Sequence, residues 1–142
     1  MTSLSLQLAA AVLLPCCLVA AAQAHSPPPA TGMARPTEVL SELVEKMPRG
    51  DRQRVRVLTA TFQPGDRTVF HTHRSPVTVY VLEGEFTLEL EGRPPVVVPQ
   101  GRAYVEPPDV KMTGYNRKAG EPLKVLIFYV SEADAPFLDV VH

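Results

Sequence analysis

Tryptophan is absent from this 142-residue chain, and cysteine occurs only at positions 16 and 17. A chain processed after residue 24 therefore carries no thiol, which removes disulfide staples and cysteine nucleophiles together. No block of one charge sign occurs either: 14 basic residues against 15 acidic ones leave a formal net charge of −1. That balance gives no electrostatic footprint for nucleic acid. A phosphate-cradling glycine loop and a G-x-S-x-G turn are both missing, so phosphoryl transfer and serine hydrolysis lack their residues. What remains is a composition 45% apolar and 20% charged, that of one ordinary globular domain.

Residues 1–24, MTSLSLQLAAAVLLPCCLVAAAQA, hold no charged side chain and end in Ala22-Gln23-Ala24. This is the pattern of a signal peptide with a small-residue cleavage site, and it predicts export to the periplasm or beyond, with no membrane attachment after cleavage. The absence of Lys or Arg at its start is atypical. A membrane anchor competes poorly because Pro15 interrupts a run already short for a span. Leu13-Leu14-Pro15-Cys16 offers a lipoprotein alternative, although proline before the cysteine suits it badly.

Residues 25–36, HSPPPATGMARP, read as a flexible linker. Cleavage would leave His25 with a free amine beside its imidazole, a pair able to hold copper, although a plain linker residue is the simpler reading. Over 37–50, Thr37 is a candidate N-cap, Leu40, Leu43, Val44 and Met47 fall at helical spacing, and Pro48 and Gly50 provide a stop. The spacing predicts a short helix there.

From residue 51 the period becomes two. About eight short β-rich runs, from RVRVLTATF to LKVLIFYV, are separated by Pro64-Gly65, Ser75-Pro76, Glu83-Gly84, Pro94-Pro95, Gln100-Gly101 and Pro107-Pro108. Such close, regular spacing predicts an all-β antiparallel sandwich or barrel over 51–142. Val77, Val79 and Val81 fall on one face of their strand, with Thr78, Tyr80 and Leu82 on the other. Phe86, Leu88 and Leu90 alternate with Glu85, Thr87 and Glu89, which gives that strand one wet face. LKVLIFYV, apolar on both sides, reads as buried on both.

His71 and His73 stand two apart on a strand-like stretch, so both imidazoles project from one face, near enough to hold one ion. Around them the spacing resembles the first motif of the cupin superfamily: Gly65, five residues, His71-Thr72-His73, three residues, Val77, then six more to Gly84. In that pattern a glutamate occupies the slot held here by Val77. The second motif lies over Gly101, Pro107, Asp109, Met112 and Asn116, with Asp109 in place of a glycine and Met112 in place of the histidine. The resemblance spans about residues 54–131 and implies a single antiparallel jelly-roll β-barrel. It also implies a metal site of two histidines, a glutamate and a further histidine, of which only His71 and His73 remain.

Three readings follow. Losing the carboxylate and the third imidazole removes what iron or manganese prefers, so His71, His73 and Met112 would form a softer site for which copper is favoured. Alternatively Glu106 or Asp109 acts as third ligand of a metal that activates water or a substrate oxygen. Or no metal binds, and the barrel mouth holds a small molecule in an apolar pocket. Its lining would come from Val77, Val79, Val81, Phe86, Met112, Tyr104 and Glu106. Met112 could equally be a core residue and Glu106 a surface carboxylate. Tyr80, Tyr104 and Tyr115 are candidates to orient a ligand, and Arg67, Arg74 and Arg102 to meet a carboxylate. Metal-dependent catalysis, non-enzymatic metal binding and metal-free ligand binding all stay open, and a homodimer is the partner the resemblance suggests.

Overall fold

The period-two patterning is realised as strands whose faces sort by hydrophobicity as the pleat requires. A computed structural model describes residues 32–142; the stretch expected to be a signal peptide, His25 and the expected linker as far as residue 31 lie outside the described residues. Among those described, nine strands run β1 (Gln53–Phe62), β2 (His71–Thr72), β3 (Val77–Glu83), β4 (Glu85–Leu90), β5 (Val96–Pro99), β6 (Ala103–Glu106), β7 (Met112–Tyr115), β8 (Leu123–Glu132) and β9 (Asp139–Val140). They pair antiparallel in two sheets, ordered β1-β8-β3-β6 and β5-β4-β7-β2-β9. One core joins the sheets: Val77, Val79, Val81, Leu123, Val125 and Tyr129 from the first meet Phe86, Leu88, Leu90, Val98 and Met112 from the second. This is the antiparallel jelly roll anticipated from the sequence.

The face assignments on β3 hold, with Val77, Val79 and Val81 buried and Thr78, Tyr80 and Leu82 turned outward. Each such valine contributes about 1.5–3 kcal/mol through removal from water. Two details on β4 and β8 differ from expectation. Thr87 is buried on the outer side, where it stands between Val97 and Tyr115 of the flanking strands. On β8 only Leu123, Val125, Tyr129 and Ser131 are fully buried; Phe128, on the outer face, is exposed.

The predicted helix over 37–50 does not form. The chain there follows an irregular course, and Leu40, Glu42 and Val44, spaced by two, border the same hollow as Thr78, Val105, Phe128 and Val130 on the outer face of the β1-β8-β3-β6 sheet. Leu43 points wholly into solvent. Eleven residues between Pro36 and Pro48 are too few to nucleate a helix unaided, and Lys46 at φ 57° breaks the last turn. The apolar outer face of the sheet supplies the competing partner.

Two glycines are required by geometry. Gly84, at φ 77°, turns β3 into β4 so tightly that a Cβ there would stand 2.5 Å from the Pro122 carbonyl oxygen. At Gly114 a Cβ would meet the Phe86 ring at 2.5 Å. Gly114→Ala should therefore cost about 1–3 kcal/mol by overpacking, seen as a lower urea midpoint with an unchanged slope.

Candidate metal centre

Strand β2 lies inside its sheet, His71 pairing with Met112 of β7 and with Val140 of β9. The pleat then aims His71 and His73 into the same interior, and both are almost wholly buried. Glu106 arrives from the opposite sheet. It ends β6 and is the Cα partner of Val77 on β3, and residues directly opposite in antiparallel strands share a face. The carboxylate absent from position 77 is thus supplied from the neighbouring strand at the same level of the barrel. Glu106 is buried, and the ligating atoms of His71, His73 and Glu106 all lie within 4.8 Å of one another.

The hydrogen bonds at the backs of the rings fix the chemistry at their fronts. His71 Nδ1 lies 2.7 Å from the Val69 carbonyl oxygen, and His73 Nδ1 lies 2.7 Å from that of Phe137. A carbonyl only accepts, so each Nδ1 carries the hydrogen, and a neutral ring held this way presents its Nε2 lone pair. Those two Nε2 atoms are 3.1 Å apart, and the Glu106 Oε2 is 3.3 Å from that of His73. With both rings neutral, three acceptors converge in a buried space, an arrangement that a shared proton or a bound cation relieves. Donors at about 2.0–2.2 Å from one ion, set roughly 90–109° apart, stand about 2.8–3.6 Å from each other. Two of the three separations, 3.1 and 3.3 Å, fit that geometry and the third lies within 4.8 Å, and the carbonyls behind both rings are the outer partners that metal-bound histidines normally have.

Burial pushes the His71 pKa below its ordinary value of 6.5; the neighbouring His73 adds to this, while the Val69 carbonyl and the Glu106 carboxylate oppose it. An unfolded imidazole titrates near 6.5 and the folded one lower, so above that pH the residue is neutral in both states and contributes no pH dependence. As pH falls below about 6.5, the unfolded chain takes up the proton first. Stability of the metal-free protein should decline from there down to the folded pKa, measured as the urea midpoint in a pH series. His71→Gln should remove that part of the slope.

The other sequence candidates are distributed as follows. Val79 and Phe86 line a cavity of about 110 Å³ that opens onto His71, His73 and Glu106. Val77 and Val81 are fully buried in the core, outside that lining. Met112, opposite His71, is likewise a core residue outside the lining. Tyr104 packs against the core beside Val79, and burial raises its pKa, which keeps the phenol neutral. Asp109 turns outward, its carboxylate 2.7 Å from Lys46 Nζ. Arg74 is held by Asp139 through two contacts of 2.7 and 2.8 Å and is not free to meet a ligand.

Val69 and Phe137 were not anticipated, because they act through backbone carbonyls that no side-chain pattern reports. The ring of Phe137 also packs on His73, with centroids 5.2 Å apart. Tyr129 lies behind His73 with ring centroids 5.7 Å apart, and its hydroxyl is fully buried without a hydrogen-bond partner among the described residues.

Structural comparison places this architecture among known barrels. The DMSP lyase DddQ of Ruegeria pomeroyi aligns with a TM-score of 0.53 at 18% identity, over 61% of this chain and 43% of that one. A cupin-like protein of Thermotoga maritima aligns at 0.52 with 25% identity, over 61% and 64%. YhaK of Escherichia coli aligns at 0.51 with 17% identity, over 63% and 42%. The chain spans less than half the length of the lyase, and identities this low carry the fold and nothing of the substrate. No curated protein matches the sequence significantly. Residues 58–129, just over half of the chain, match the family of cupin domains, and with the jelly roll and the inward histidine pair this establishes that the chain belongs to the cupin domain family.

Proposed function

We propose that this protein is an exported, metal-dependent cupin in which His71, His73 and Glu106 hold one divalent ion facing a small apolar cavity. The observation that carries this reading is the convergence of two Nε2 lone pairs and a carboxylate oxygen in a buried space, each ring locked in the metal-ready tautomer by a backbone carbonyl. Three protein donors leave coordination positions open, the mark of catalytic rather than structural sites. When bound, the ion would supply Lewis acidity to an oxygen of a small molecule. The chain's own residues orient that molecule and exclude water around it. The uncharged leader at residues 1–24 supports export.

A second reading comes from Met112, the direct cross-strand partner of His71. Recruitment of its sulfur would soften the donor set and favour copper, as in a non-enzymatic metal-binding protein. A carboxylate in the set favours harder ions.

Elemental analysis of untagged protein, beside His71→Ala, His73→Ala, Glu106→Ala and Met112→Leu variants, tests both readings. One equivalent of metal lost in the first three and kept in the last supports the His-His-Glu site. Loss in Met112→Leu with copper in the wild type supports the softer one. Retention by both histidine variants, or no metal under any loading condition, overturns the proposal. Full metal occupancy should also raise stability, by about 2.7 kcal/mol at a hundredfold excess over Kd, reversed by a chelator.

A further inference from the structure

The cavity in front of the three donors restricts what the ion could bind. Its volume is about 110 Å³, whereas an apolar cavity of about 150 Å³ accommodates the six carbons of benzene. Phe62, Val79, Phe86, Val125, Ile127 and Phe137 supply most of its wall. Thr68, the polar exception, has its hydroxyl engaged by the Gly114 amide at 2.9 Å. Among the described residues, no ionisable side chain other than His71, His73 and Glu106 lines this space.

Charge balance then selects the head group. A divalent ion with one carboxylate and two neutral imidazoles leaves a single positive charge in an apolar chamber, which is costly unless compensated. One negative charge on the incoming ligand neutralises it. A dianion would overshoot, and a neutral ligand would leave the charge buried. Resting on the proposed metal centre, the geometry points to a short-chain monoanion as the ligand. Its anionic head occupies the open positions beside Glu106, and an aliphatic tail of about two to four carbons fills the space between Phe62, Val79 and Phe86.

A series of straight-chain carboxylates tests this on full-length protein loaded with Co²⁺, whose visible bands report any ligand entering its coordination shell. From formate through acetate and propionate to butyrate, Kd should fall about three- to fourfold per added carbon, the effect of burying one methylene. Hexanoate should bind at least tenfold more weakly than butyrate. Val79→Ala, which deepens the pocket, should move the optimum one or two carbons longer, and 1-butanol should bind far more weakly than butyrate.

A flat series, a Kd that keeps falling through hexanoate, or butanol equal to butyrate would overturn this inference while leaving the metal centre in place. Failure of the protein to take up Co²⁺ at all would overturn the metal centre and the inference with it.

Discussion

Glu106→Val should lower metal affinity by at least about 100-fold, more than the loss typical of an outer-shell partner, and moving the carboxylate across the strand pair should bring it back. The double variant Val77→Glu/Glu106→Val keeps one carboxylate at the same level of the barrel, because positions 77 and 106 are Cα partners on β3 and β6 and share an inward face. Its affinity should return to within about tenfold of the wild type. Val77→Glu alone places two carboxylates side by side in a buried site, so the metal-free protein should lose several kcal/mol. Glu106→Gln carries an opposite pair of signs. The amide can donate to His73 Nε2, which relieves the repulsion among acceptors and stabilises the metal-free protein by about 1–2 kcal/mol, while metal binding weakens. Competition with a chromogenic chelator gives the affinities, and urea unfolding in EDTA gives the stabilities. A double variant that binds metal no better than Glu106→Val would show that the two positions are not equivalent.

Asn116→Ala should cost about 2–4 kcal/mol of stability and leave metal affinity unchanged. The residue closes the second family motif, yet it is a bracket rather than a ligand. Its Nδ2 donates to the Phe62 carbonyl at 3.2 Å and to that of Glu121 at 2.8 Å, and its Oδ1 accepts from the Lys118 amide at 3.1 Å. The side chain is 1% exposed. Alanine leaves these backbone groups without their partner, each loss costing about 1 kcal/mol or more. Against a net stability of roughly 5–15 kcal/mol this is a large share. The urea midpoint and a metal titration on the same sample separate the two effects, and a loss of metal affinity would contradict the bracket role.

What the sequence made legible follows from which interactions are local. Alternation at Val77, Val79 and Val81 and at Phe86, Leu88 and Leu90 placed the core because a strand's pleat depends only on its own residues. His71 and His73 were readable as a pair for the same reason. Glu106 was readable only as one alternative, since its role depends on which strand lies beside β3, and pairing between β3 and β6 is a non-local property. The helix over 37–50 failed because Leu40 and Val44, four apart, share a face at a period of two as well as at helical spacing, and the exposed outer face of β8 decided between them. The carbonyls of Val69 and Phe137 leave no trace in residue identity at all.

The tie between His73 and Phe137 links the centre to the end of the chain. Residues beyond β8 wrap back so that Phe137 holds the ring, β9 pairs with β2, and the Val141 amide donates to the Phe70 carbonyl at 2.9 Å. Any ion that fixes His73 must then also fasten this carboxy-terminal arm. Protease cleavage near Ala135 and amide exchange at Val141 should both slow on loading, so the tail becomes a gauge of occupancy that needs no knowledge of the substrate.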